Sequence, residues 1–393
     1  MYSVVYLGHL LKSMESLIGM KVLSIIYMEQ EKRGDRKEMI IREFQHNMLK
    51  EILEEPDALA KTFEKNEKKL KVISDNILKK YNGNLYVTGS GTSFHAGLSF
   101  QYSLFQLTGV YPTAMFASEL PTWISDRVFP TVLIAISQSG ESTDVINAVK
   151  RVSELKFHKV GVTNKPESQL SRIVDDVIFT YAGEERALAA TKTYVTQVLA
   201  LLMLSTNLSY LMEKISNDLY CSLINNLQNT HLLVKQGIEK NIDRIKSFVE
   251  KIGNINRAFV LGSGVLYPSA IEGSLKIKET CTTPSEGFAL REFLHGPIQL
   301  AGEKSLTLIL GHSNLDEMLY IDVMNKVKNF GGKVLLVSDK FLDVQIDDQI
   351  NIEVPYDVSP IVFAPVFQTL AYFIALSKGL NPDAPEKLSK VVK

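Results

Sequence analysis

The chain predicts an α/β protein made of two tandem doubly wound parallel-sheet domains, with helices on both faces and a helical segment ahead of the first. Three observations carry this. Short apolar runs of strand length alternate with helical stretches, which is how a parallel sheet covered on both faces reads in sequence. The alternation occurs twice. The two occurrences also keep one spacing: Gly89 to Ser139 is 50 positions and Gly262 to Ser313 is 51, while Ser139 to Thr163 is 24 and Ser313 to Ser338 is 25. Duplication of a single unit explains that agreement.

Residues 1–40 read as an N-terminal extension, or as the product of an upstream start codon with Met39 the true start. Their apolar pieces are interrupted by His9, Lys12, Glu15 and Lys21, so they do not form a signal peptide. Residues 41–80, rich in Glu, Lys and Leu at helical spacing, form a helical lead-in that Pro56 divides into two helices. The first domain, 81–215, opens on the strand Leu85-Tyr86-Val87 and continues with strands at 132–136, 159–162 and 177–179. Residues 187–250 carry no strand signal and read as helix, with 216–250 connecting the domains. The second domain, 251–393, repeats the pattern at 259–261, 306–310, 333–338 and 350–354, and ends in a tail.

The length of 393 residues suits two cores rather than one. A net charge of −1 gives no nucleic-acid footprint and no attraction to an acidic membrane surface. The longest unbroken apolar run, Val198–Leu204, is far short of the roughly 20 residues that span a bilayer. Cys221 and Cys281 stand far apart, without disulfide or metal-ligand spacing, which fits a reducing cytoplasm.

The most informative stretch is Ser137-Gln138-Ser139-Gly140-Glu141-Ser142-Thr143, directly after a strand and directly before a helix. Backbone N–H groups and hydroxyls at a helix N-terminus favour an anion. Without a Lys or Arg the loop is no nucleotide P-loop, so a phosphate monoester on a small sugar fits better. Simple helix capping by Ser and Glu would use the same residues. Gly89-Ser90-Gly91-Thr92-Ser93 follows the first strand and would open on the same crevice. It lacks the third glycine of a dinucleotide fingerprint. In the second half the hydroxyl loop has become His312-Ser313-Asn314-Leu315-Asp316, with no glycine and an added carboxylate, so one phosphate site per chain is expected, in the first half.

Glu272, Lys276 and Glu279 share one helix face. A carboxylate there could move a proton between adjacent sugar carbons, or the three could be a surface Glu–Lys pairing. His295 sits before Gly296-Pro297, where a turn would present it for proton transfer. The tail carries three lysines, of which one folded into a desolvated crevice could form an imine with a ketose.

Together these residues resemble the isomerase half of glucosamine-6-phosphate synthases, built from two sugar isomerase (SIS) domains, and related stand-alone SIS deaminases. The resemblance covers about residues 41–393. It runs from His46–Ile52 and Glu55-Pro56 through Gly91-Thr92-Ser93, Ala117-Ser118-Glu119, Ser137–Glu141 and Ala189–Lys192 to Glu272–Glu279, Leu294–Pro297 and Leu388-Ser389-Lys390. It implies that Gly91, Thr92, Ser93, Ser137, Gln138, Ser139, Ser142, Leu188 and Ser389 bind the sugar phosphate. It implies Glu279 as the base at C1 and C2, with Lys276 supporting it. Lys390 would be the imine-forming amine, and His295, reaching from the neighbouring subunit of a homodimer, would open the ring. No metal or redox cofactor is implied.

Two departures stand out. Ala190 replaces a Ser usual in the family, which removes one polar contact. The family's glutaminase domain is expected to be missing, since residue 2 is Tyr rather than the Cys nucleophile that such a domain needs. The expectation is therefore a cytoplasmic enzyme interconverting fructose 6-phosphate and glucosamine 6-phosphate, most naturally as a deaminase. The alternatives are synthesis with free ammonia or a separate glutaminase, and a non-catalytic phosphosugar sensor.

Overall fold

The computed structural model describes residues 46–390. The extension 1–40 lies outside the described residues. Helices α1 (Asn47–Leu53) and α2 (Glu55–Lys80) come first. Pro56 lies in the first turn of α2, where its missing N–H costs no helical hydrogen bond. Leu59, Phe63, Leu70, Ile73 and Ile77 line the buried face of α2.

The first sheet follows: β1 (Leu85–Gly89), α3 (Thr92–Thr108), β2 (Thr113–Phe116), α4 (Leu120–Trp123), β3 (Val132–Ile136), α5 (Thr143–Glu154), β4 (His158–Thr163), α6 (Gln169–Ile173) and β5 (Asp176–Phe179). Two long helices, α7 (Lys192–Leu211) and α8 (Asn217–Ile252), lead to the second: β6 (Arg257–Gly262), α9 (Tyr267–Cys281), β7 (Ser285–Ala289), β8 (Ser305–Leu310), α10 (Glu317–Asn329), β9 (Lys333–Ser338) and β10 (Asp348–Asn351). Helices α11 (Ser359–Val362) and α12 (Ala364–Ser377) finish the regular structure.

Both sheets are five-stranded and parallel throughout. Their orders are β2-β1-β3-β4-β5 and β10-β9-β8-β6-β7, the same order when each is counted from its own first strand. The duplication read from the spacing is therefore a duplication of topology. Each sheet has one strand that the apolar pattern did not announce, β2 and β7. Both are edge strands with mostly half-exposed or exposed residues, so neither needs a continuous apolar run.

One apolar cluster runs through both domains, joining β1 and β3 to β6 and β8 by way of α2, α7, α8 and α12. Two apolar segments, Lys192–Leu211 and Tyr356–Ser377, are long enough to cross a membrane, but 89% and 100% of their apolar windows are buried inside the protein. They are core helices. Their length escaped a count of unbroken apolar residues because Thr, Ser and Gln positions interrupt the run yet are buried too.

The two ends of the described chain meet. The Asp383 carboxylate accepts from the backbone N–H of Asn47 at 2.6 Å and of Met48 at 2.7 Å, capping the first turn of α1. The Asp383 carbonyl in turn accepts from Leu188 N at 3.0 Å.

Acidic side chains are buried nearby. Burial raises the Glu51 carboxyl to about 7, against the pull of its hydrogen bond from Arg186 N, and Glu185 adds to the rise. Fully buried Glu55 is pushed well above the carboxylate range, again by burial first. A raised carboxyl is no burden while both folded and unfolded chains are protonated. As pH climbs past about 4.5 the unfolded chain ionises first, so stability falls until the folded group also ionises. Glu55→Gln is expected to raise the denaturation midpoint at pH 8 and to change it little at pH 4, measured by urea unfolding at both values.

Candidate active site

The site forms beyond the carboxyl ends of β1 and β3, at the point where strand order reverses. Gly89 closes β1. A Cβ there would stand 2.8 Å from the Ser93 backbone, so only glycine lets α3 start against the strand end. Thr92 and Ser93 are thereby held at the first turn of α3. After β3, Gly140 adopts φ 65°, and a side chain on it would collide with Ser168. This turn presents Ser137, Gln138, Ser139 and Ser142 to one cavity.

The hydroxyls of that loop are only partly engaged. Ser137 Oγ accepts from Gly140 N at 3.1 Å, and Ser139 Oγ accepts from Glu141 N at 3.2 Å. Each keeps its proton to donate. Ser142 is the N-cap residue of α5 but makes no capping bond with its side chain. Glu141 does not cap α5 either; its carboxylate accepts from Gln169 N at 2.8 Å, at the start of α6.

The cavity holds about 270 Å³. Gly91, Thr92, Ser93, Ser137, Gln138, Ser139, Ser142, Leu188, Glu279, Ser389 and Lys390 all line it. Elements from both domains and the tail thus meet there. Ala190 lines it as well, at the position where a Ser was expected.

Lys276 does not reach the cavity surface but lies beneath it, fully buried. Its Nζ is 2.6 Å from Glu279 Oε2 and 3.2 Å from Glu272 Oε1, and it donates to Thr92 Oγ1 at 3.2 Å. The three residues are therefore not a surface pairing. Burial opposes the Lys276 charge, but the two carboxylates outweigh it and hold the ammonium protonated. Burial likewise works against ionised Glu272; Lys276, His95 and Thr92 reverse it and bring the carboxyl below its ordinary range. His95 Nδ1 donates to Glu272 Oε2 at 2.7 Å, and Thr92 Oγ1 donates to Glu272 Oε1 at 3.0 Å.

Lys390 lies across the cavity wall. Its Nζ donates to the Ala187 carbonyl and is 3.4 Å from Glu185 Oε2. Glu185 is buried and fixed by Thr191 N at 2.9 Å and Thr193 Oγ1 at 2.6 Å. His295 is placed elsewhere: it follows a short helical turn after β7, is exposed, and does not line the cavity of its own chain.

Sequence reasoning missed His95, Glu185, Thr193 and Gln197. His95 stands three residues after Thr92 on α3, a spacing that puts both on one face. Gln197 Nε2 donates to Ser93 Oγ at 3.2 Å. Glu185 falls in the loop run Glu184-Glu185-Arg186, where nothing local separates a buried carboxylate from a solvated one.

The SIS domain pattern matches this chain twice, at residues 77–207 and 251–377. The glutamine–fructose-6-phosphate aminotransferase (isomerizing) of Pyrococcus horikoshii is 33% identical over 356 residues, and that of Pyrobaculum aerophilum is 35% identical over 357. Each alignment covers 89% of this chain but only 58% of the relative. The C-terminal domain of glucosamine-fructose-6-phosphate aminotransferase from Francisella tularensis superposes with a TM-score of 0.78 at 27% identity, over 86% of this chain and 98% of that one. A glucosamine-6-phosphate deaminase from Thermotoga maritima shares the fold, with a TM-score of 0.70 at 21% identity, over 88% of this chain and 99% of that one. Two parallel sheets of one topology, a hydroxyl-lined cavity at the first switch point and two matches to one domain pattern place this chain in the SIS family, as a tandem double-SIS protein.

Proposed function

We propose that the chain interconverts glucosamine 6-phosphate and fructose 6-phosphate and acts in the deaminating direction. The observation that carries this is the meeting, in one cavity, of Ser137–Ser139, Glu279 and Lys390. Phosphoryl oxygens would sit on the hydroxyls and N–H groups at the starts of α3 and α5, where the helix ends favour negative charge. Carbons 1 and 2 of the opened sugar would then lie toward Glu279 and Lys390.

The bookkeeping is simple. Ring opening exposes the C1 aldehyde; this is the step assigned to His295 of a second copy in a homodimer. Glu279 takes the C2 proton and returns one to C1, while the amine's N–H proton passes to the C1 oxygen, so the aldehyde becomes an alcohol and the C2 amine an imine. Lys390 Nζ, deprotonated, attacks C2 and displaces ammonia. Water then releases the ketose and restores the lysine. The sum is glucosamine 6-phosphate plus water giving fructose 6-phosphate plus ammonia. Lys276 keeps Glu279 in place through the 2.6 Å contact.

The synthetic direction is the second reading, favoured by the names of the relatives, of which this chain spans 58% of the length. It would need ammonia as the nitrogen donor. The deciding assay offers glucosamine 6-phosphate and measures ammonia. Binding without turnover in either direction would leave a phosphosugar sensor and end the enzyme reading.

Ser139→Ala tests the cradle. A hydrogen bond to a charged group contributes about 1.5–3 kcal/mol, so KM for the sugar phosphate should rise roughly tenfold or more with kcat little changed. An unchanged KM in steady-state kinetics would move the phosphate elsewhere.

A further inference from the structure

The second domain has a cleft of its own. It holds about 620 Å³, against about 270 Å³ for the cavity around Ser139 and Glu279. That is within the roughly 300–1,000 Å³ usual for small-molecule sites. It opens beyond the carboxyl ends of β8, β9 and β10, against one face of α8. Nothing in the chemistry proposed above uses it.

Its construction excludes a phosphate. Ser313 matches Ser139 by register, since β8 ends at Leu310 opposite Gly262 just as β3 ends at Ile136 opposite Gly89. In the first domain the loop donors face an open cavity. Here Asp339 has taken them: its carboxylate accepts from Ser313 N at 2.8 Å and from the Ser313 hydroxyl. The carboxylate expected to repel phosphate, Asp316, turns out to cap α10 by accepting from Met318 N at 3.0 Å, and Asp339 fills that role instead. His312 is turned to backbone partners. Its Nδ1 accepts from Asn314 N at 3.1 Å, which leaves Nε2–H to donate to the Val354 carbonyl at 2.9 Å.

What remains is a polar, faintly acidic hollow. Lys240 and Glu353 stand exposed at its mouth, and neither forms an ion pair among the described residues. With Asp339 the charged groups of the lining sum to −1, as one cation and two anions. Asn314 and Asn351 offer amides, each both donor and acceptor, as hydroxyl partners require. The Tyr356 ring forms a wall, 5.0 Å from the His312 ring and tilted 58° to it. We propose that this cleft binds an unphosphorylated hexosamine, with hydroxyls on the amides, the apolar ring face against Tyr356 and the ammonium toward Glu353.

The test is calorimetric titration of the full chain with glucosamine, glucose and inorganic phosphate. Glucosamine should bind saturably with a Kd of about 1 mM or tighter. Glu353→Gln should weaken glucosamine about tenfold, as loss of a charged hydrogen-bond partner does, and leave glucose unchanged. Asn314→Arg, at an exposed position in the mouth, should abolish binding of both sugars. Saturation of the first-domain cavity with fructose 6-phosphate should leave glucosamine binding intact, which separates this cleft from that cavity. The proposal is overturned by the absence of saturable glucosamine binding at ten times that concentration. It is equally overturned by glucosamine binding that fructose 6-phosphate displaces, or by phosphate binding that Asn314→Arg removes.

Discussion

Glu279→Gln is expected to reduce turnover of glucosamine 6-phosphate by about 10²–10⁴-fold, the range associated with a positioned general base, while substrate binding survives. The amide matches the carboxylate in shape, so the cavity keeps its walls. What is lost is the capacity to carry a proton from one carbon to its neighbour. Ammonia release and a binding isotherm, measured on the same preparation, give the split. Equal loss of binding and turnover would mean that Glu279 holds the sugar rather than reacting with it.

Lys276→Met should produce the largest loss of stability. The ammonium sits between Glu272 and Glu279 with no exposure of its own. Removing one member of a buried ion cluster strands the others and typically costs about 3–5 kcal/mol. His95 and Thr92 would still contact Glu272, which places the expectation toward the lower end. The sign of the pH dependence is distinctive. Glu272 now has its carboxyl held low, mainly by Lys276 opposing burial. Without the lysine that carboxyl would rise, and protonating it would relieve the stranded charge. The difference in urea midpoint between Lys276→Met and the parent should therefore shrink as pH falls from 8 toward 5. A constant difference would point to lost packing alone.

The sequence disclosed the strands whose residues are buried on both faces, because such strands must be apolar from end to end. Val132–Ile136 is fully buried, and it was legible. Thr113–Phe116 was not, since an edge strand is read only through its neighbour. The site divided along similar lines. Hydroxyls bunched after a strand are a local signal, and Ser137–Ser142 could be named from it. Glu185 and His95 matter through partners at positions 191–193, 272 and 390, and no local pattern encodes those distances. The Glu272–Lys276–Glu279 spacing was visible. That it is buried rather than solvated depends on α3 and α9 packing together across the two halves, a fact of assembly rather than of composition.

The Asp383 cap gives the molecule a latch. Residues 336 and 335 positions apart are tied by two short hydrogen bonds, and the segment that leaves this knot delivers the Lys390 amine seven residues later. The tail is thereby moored at two points, to the first turn of α1 through Asp383 and to the cavity wall through Lys390.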